Sequence, residues 1–97
     1  MHKHLHGVWR TDLRDTAAVD RFGLVRLEFK ADGELLYAVE GNNGEQIACL
    51  TYRVDGDHLI TDQPSAPAEQ RTKYCLLSDG RLRLEYGQFP AHYVRKR

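Results

Sequence analysis

The chain is short of cysteine, of charge imbalance and of long apolar runs, and each scarcity removes a class of protein. Two cysteines in 97 residues, Cys49 and Cys75, are too few for a disulfide framework and lack the C-x-x-C spacing of a redox or zinc site. Both are expected as buried or half-buried free thiols, although the sequence leaves open whether they pair. No apolar stretch approaches the ~20 residues that a membrane helix needs, which predicts a soluble chain without membrane insertion. Fourteen basic residues balance fourteen acidic ones, and outside Arg95-Lys96-Arg97 the signs alternate, so nucleic acid finds no net positive face. That terminal triplet reads as a solvated tail. The opening residues, Met1-His2-Lys3-His4-Leu5-His6, carry charge but no apolar core of a secretory signal, so the expectation is a cytoplasmic protein, or else one whose leader has been trimmed. No glycine-rich loop leads from a strand into a helix, which removes nucleotide-dependent chemistry, and nothing calls for a cofactor.

What the sequence does contain is period-two alternation punctuated by turns. Asp32-Gly33, Asp55-Gly56 and Asp79-Gly80 each sit between two stretches that alternate apolar and polar residues, the pattern of a hairpin. Register follows from keeping the apolar residues on one face. A three-residue loop Ala31-Asp32-Gly33, with Gly33 left-handed, sets Phe29 opposite Leu35, Leu27 opposite Tyr37 and Val25 opposite Val39. A two-residue Asp55-Gly56 turn sets Tyr52 opposite Leu59 and Leu50 opposite Thr61, with Arg53 and His58 outward. A three-residue loop Ser78-Asp79-Gly80 sets Leu76 opposite Leu82, Tyr74 opposite Leu84 and Thr72 opposite Tyr86.

Gly41-Asn42-Asn43-Gly44 joins the first hairpin to the second, and Gln63-Pro64-Ser65-Ala66-Pro67-Ala68 makes a longer excursion before the third. A first strand at Leu5-His6-Gly7-Val8-Trp9-Arg10 and a last one from Ala91 to Arg95 bring the count to eight. Only Thr11 to Gly23 lacks strand pattern; it reads as a helical turn or two capped by Asp15 or Thr16, with Val19 and Phe22 packed as a lid across one barrel end. The expected fold is all-β: residues 1–97 as one domain, a small eight-stranded antiparallel up-and-down barrel, closed or partly open, with a short helical segment after strand 1. Size scaling lets such a chain bury only about 65% of its unfolded surface, so the core is thin.

Taken together, Gly7-Val8-Trp9, the turn Phe29-Lys30-Ala31-Asp32-Gly33, the run Tyr52-Arg53-Val54-Asp55-Gly56-Asp57-His58-Leu59 and the closing Tyr93-Val94-Arg95 resemble the short bacterial lipocalin-like domains of the calycin superfamily, over nearly the whole chain. The resemblance implies that Trp9 plugs one barrel end and that Arg95 packs across it as a cation-π partner worth ~1 kcal/mol when partly desolvated. It also implies a habit of binding apolar molecules, and no catalytic site. True lipocalins are longer, with deeper strands.

Candidate functional residues come from parity. Tyr37, Tyr52, Tyr74 and Tyr86 point inward with Phe29 and Leu50, and their hydroxyls find only Thr61 and Thr72 as polar company, which suits an apolar pocket with a few polar handles. The plainer reading is four rings filling core near a rim. His2, His4 and His6 alternate on the first strand, with His92 within approach, and are the weak metal candidates; surface histidine is the plainer account. Three functions compete. The first is a barrel binding an apolar or amphipathic small molecule inside. The second is a filled barrel acting as an interaction module or homodimer through an outer face of Leu36, Ile47, Ile60 and Leu77. The third is a cofactor-free isomerase or cyclase using a tyrosine such as Tyr52 with Asp57 at a barrel mouth.

Overall fold

A computed structural model describes residues 3–41 and 43–96. A 3-10 turn over Lys3–Leu5 precedes β1 (Gly7–Thr11), and α1 (Thr16–Phe22) separates β1 from β2 (Leu24–Phe29). Then follow β3 (Glu34–Gly41), β4 (Gly44–Asp55), β5 (His58–Asp62), β6 (Gln70–Leu76), β7 (Leu82–Tyr86) and β8 (Phe89–Lys96). Each strand pairs antiparallel with the next and β8 returns to β1, so the eight strands form a closed up-and-down barrel.

The first and third hairpins keep the expected registers: Phe29 faces Leu35, Leu27 faces Tyr37 and Val25 faces Val39, while Leu76 faces Leu82 and Tyr74 faces Leu84. The second differs. Asp55 pairs with His58, Tyr52 with Thr61 and Val54 with Leu59, so the two-residue turn is Gly56-Asp57 rather than Asp55-Gly56. Gly56 has φ 61° and Asp57 a negative φ, which is the arrangement of a turn whose first central residue must be glycine. The slip is by two residues, an even number, and therefore leaves every side chain on its expected face. β1 also starts later than expected, at Gly7, because Leu5 belongs to the 3-10 turn, where it is buried. β8 starts earlier, at Phe89, and runs through Lys96, so Arg95 and Lys96 are strand rather than tail, while Arg97 lies outside the described residues.

α1 forms where the alternation lapses. The Asp15 side chain accepts a hydrogen bond from the Ala18 N–H at 3.2 Å, satisfying one orphan amide of the first turn, and Gly23 ends the helix. Seven residues make no stable helix alone, and α1 is held from below. The His92 N–H (3.1 Å) and the His92 ring Nδ1 (2.8 Å) both lie against the second Asp15 oxygen, and Phe22 packs on the Tyr86 ring.

The chain direction sorts the connections into two ends. The 3-10 turn and the β2–β3, β4–β5 and β6–β7 turns lie at one end. α1, the β3–β4 and β7–β8 turns and the long β5–β6 connection (63–69) lie at the other. The largest fully buried side chains are Trp9, Tyr93, Phe29, Leu5, Leu27 and Leu82, which places the densest packing around β1 and its neighbours.

Candidate functional site

The first end is plugged. Trp9 is 1% exposed, its indole N–H donates to the Leu5 carbonyl at 3.0 Å, and the Arg95 guanidinium lies 4.2 Å from the ring centroid. Arg95 also donates to the backbone carbonyls of His4 and His6, drawing the chain before β1 across the barrel. Gly7 has φ 119°, and a Cβ there would stand 3.0 Å from the Arg95 Nη1, so the glycine of Gly7-Val8-Trp9 makes room for the guanidinium. Phe29 and Tyr52 meet edge to face at 5.0 Å beside this plug. The Tyr52 hydroxyl donates to the Lys30 carbonyl at 2.8 Å, and the Tyr74 hydroxyl is 3.3 Å from the His4 Nε2 under a stacked imidazole. Phe29, Tyr52 and Tyr74 therefore belong to the plugged end and line neither the chamber nor the mouth at the other end, contrary to the expectation that all four inward tyrosines form one pocket. Parity chose the face correctly; it does not say at which depth a side chain ends, and here two hydroxyls find partners in turns and the N-terminal segment.

The other end is open. Tyr37, Leu50 and Tyr86, three of the expected lining residues, surround an inner chamber of about 90 Å³ whose remaining wall is leucines 27, 35, 59 and 84 with Thr61, Gln70 and Thr72. The same Tyr37, Leu50, Thr61, Gln70 and Tyr86 line a wider mouth of about 410 Å³. Chamber and mouth thus form one cup. Phe22 of α1 lines the mouth and sits 5.0 Å from the Tyr86 ring at 60°. Val19 is half-buried and does not reach the cup. Asp62 at the end of β5 and Gln63, Ala66 and Ala68 of the β5–β6 connection lie along the rim. The Asp62 Oδ1 accepts the Ala68 N–H at 2.9 Å, which folds that connection back toward the barrel.

Burial governs the phenols. It pushes the Tyr37 hydroxyl above its ordinary pKa, and raises Tyr86 and Tyr93 much further, so all three are neutral hydrogen-bonding groups across the physiological range. Tyr86 and Tyr93 hydroxyls lie 3.0 Å apart. Tyr93, 1% exposed, is an inward tyrosine that the sequence reading passed over; alternation from Ala91 was the signal that would have found it.

Several other residues fall elsewhere than expected. Asp57 lies in the β4–β5 turn at the plugged end, exposed, with its carboxylate 2.9 Å from the His58 Nδ1, while Tyr52 donates to a carbonyl; the acid and phenol of the isomerase reading are not assembled. His4 sits in the 3-10 turn and His6 just after it, so they share no strand face, His92 is engaged by Asp15, and His2 lies outside the described residues. Among the described residues no three His, Cys, Asp or Glu side chains converge as metal ligands would. Cys49 and Cys75 are unpaired, and exposed rather than buried, because both occupy outward positions on β4 and β6. Of the outer apolar residues only Ile47 is strongly exposed, at 56%. Leu36 and Leu77 are half-buried, and Ile60 is buried between its strand partners Arg53 and Arg71, whose stems flank it while their heads pair with Glu69 and Asp55. The expected apolar outer face is thus broken up by arginines.

Sequence reasoning also missed Asp12. It is 3% exposed and accepts from the Arg14 N–H, Nε and Nη2 at 3.0–3.1 Å and from the Arg81 Nη1 at 3.2 Å, joining the end of β1 to the β6–β7 turn. The Arg14 hydrogen bonds lead in lowering its pKa to about 2, against a burial effect that raises it. No periodicity announces such a bracket, since its partners come from distant turns. A depression of about 480 Å³ outside the barrel, walled by Leu13 and Leu24 and crossed by the Arg26–Glu45 ion pair at 3.2 Å, faces solvent rather than the cup. Among the described residues no helix is long and apolar enough to cross a membrane. No family model, curated protein or solved structure matches the chain.

Proposed function

We propose that this protein binds an apolar or amphipathic small molecule inside its barrel, in the manner of a short lipocalin-like domain. The observation that carries this reading is the cup, a chamber of about 90 Å³ opening through shared walls into a mouth of about 410 Å³. Interior side chains of an eight-stranded barrel either fill it or leave room for one small ligand, and here they fill only the half around Trp9. The wall is leucine with a few polar groups, the usual make-up of a ligand pocket. Tyr86 and Tyr93 have two hydroxyl protons between them and one mutual hydrogen bond, so one proton remains for a ligand or water. The Gly7-Val8-Trp9 strand, with Arg95 over the indole, carries the likeness to lipocalins. Two exposed, unpaired thiols fit a reducing compartment such as the cytoplasm.

The test is thermal unfolding against a panel of apolar and amphipathic compounds. A ligand at 100 times its Kd that binds only the folded state adds ~2.7 kcal/mol. The expected result is a saturable rise with one chemical class, abolished by Leu50→Trp, which places an indole where chamber and mouth meet. No rise with any compound overturns the reading.

A further inference from the structure

We propose that the cup selects for charge: its ligand is an alkyl- or arylalkylammonium amphiphile, with the apolar tail in the chamber and the cationic head at the mouth beside Asp62. This rests on the cup being a binding site and goes beyond it by naming the head group. Three observations converge. First, among the described residues Asp62 is the only charged one lining either chamber or mouth; no described lysine, arginine or histidine does. Arg21, in the last turn of α1, is not among the lining residues, and its guanidinium stacks 3.5 Å from the Phe89 ring.

Second, Asp62 is positioned rather than loose. It ends β5, and its Oδ1 is tied to the Ala68 N–H at 2.9 Å. A carboxylate offers about four acceptor sites, so one backbone donor leaves the second oxygen available to an ammonium. Third, three aromatic rings share the mouth with it: Phe22, Tyr37 and Tyr86, the first and last meeting at 60° to form a corner. Ring faces attract cations and a carboxylate adds a full opposite charge, the pairing by which aromatic pockets hold ammonium groups. A carboxylate head would meet Asp62 with no cation to offset it, which discriminates against fatty acids.

The test compares three ligands that share one tail, hexylammonium, 1-hexanol and hexanoate, titrated into the wild-type protein and followed by two-dimensional amide NMR. Hexylammonium should bind about tenfold or more tightly than hexanol, and hexanoate more weakly than either. Asp62→Asn keeps an oxygen for the Ala68 N–H, and should bring ammonium and alcohol within about threefold of each other. Should that variant fail to fold, salt decides: raising ionic strength should erode the ammonium preference of the wild type and not its affinity for hexanol. Hexanol binding with equal or better binding of hexanoate, or an ammonium preference indifferent to both Asp62→Asn and salt, overturns the charge selection and leaves the cup standing. Binding of none of the three overturns both.

Discussion

Removing the Arg95 side chain tests how the plugged end is held. The guanidinium makes three interactions: it covers the Trp9 ring at 4.2 Å and donates to the His4 and His6 carbonyls. Arg95 is itself exposed, so the low ends of the relevant ranges apply. The cation-π contact contributes ~0.5–1 kcal/mol at an exposed site, and each charged hydrogen bond there ~0.5–1 kcal/mol, for a total of about 2 kcal/mol. At the 4–8 °C per kcal/mol expected of a domain this size, Arg95→Ala should melt roughly 10 °C or more below the wild type. Because Trp9 is the only tryptophan, its emission reports the same event locally and should shift to the red as water reaches the indole. Arg95→Lys keeps the charge but loses the two-pronged fork, so its melting point should fall between the two. Melting of Arg95→Ala within about 2 °C of the wild type, with unshifted emission, would refute the idea that this guanidinium seals the barrel.

Asp12 should shape the acid limb of stability. Its carboxyl sits at about 2 in the fold against an ordinary value of 3.8, so the stability it contributes is present above the unfolded pKa and lost as pH falls from about 4 through 2. Because Arg14 is largely exposed, screening reduces this contribution to about 1–2 kcal/mol, and Asp12→Asn should flatten urea-derived stability over that interval; an unchanged acid limb contradicts it. Both cysteines should react with a thiol reagent in the native protein at rates near those of the unfolded chain, since both are exposed; a need for denaturant at either site contradicts the outward assignment of that strand position. Tyr93→Phe leaves the Tyr86 hydroxyl without its partner and should cost about 1–2 kcal/mol by denaturant titration, with alkaline absorbance showing the buried phenols of the wild type ionising only as it unfolds; early titration of all five tyrosines refutes their burial.

The barrel was legible because its information is local. Alternation assigns a face to each residue, and turn residues assign a break, so eight strands and two of three hairpin registers follow from short-range pattern. The β4–β5 slip shows the limit of that logic: two turn placements one residue apart shift the pairing by two and so satisfy the same alternation, and the positive φ of Gly56 decides between them. The cup was half legible. Tyr37, Leu50 and Tyr86 line it as expected, but Tyr52 and Tyr74 share their parity and sit at the opposite end. Depth along the barrel depends on strand stagger, which is set by the closure between β8 and β1 and by turns far apart in sequence. The Asp12 bracket, the Asp15–His92 contact and the rim from the β5–β6 connection are non-local for the same reason.

The division into a sealed end and an open one also explains how so short a chain tolerates a void. Were the chamber dry and apolar, about 90 Å³ of unfilled space would cost ~2 kcal/mol, as much as the Arg95 clamp contributes at the other end. Its wall is not uniformly apolar, however: Tyr37, Thr61, Gln70, Thr72 and Tyr86 bring polar atoms to it. A polar chamber of this volume admits water, which satisfies those groups and lowers the cost of leaving it open. The same polar groups that make the empty cup tolerable then set the terms for whatever displaces the water, because a purely hydrocarbon ligand would strip hydrogen bonds it cannot return. An amphiphile long enough to place its tail among the leucines and its head among Tyr37, Tyr86 and Asp62 avoids that loss, so the economy of the fold and the ligand chemistry proposed above point the same way.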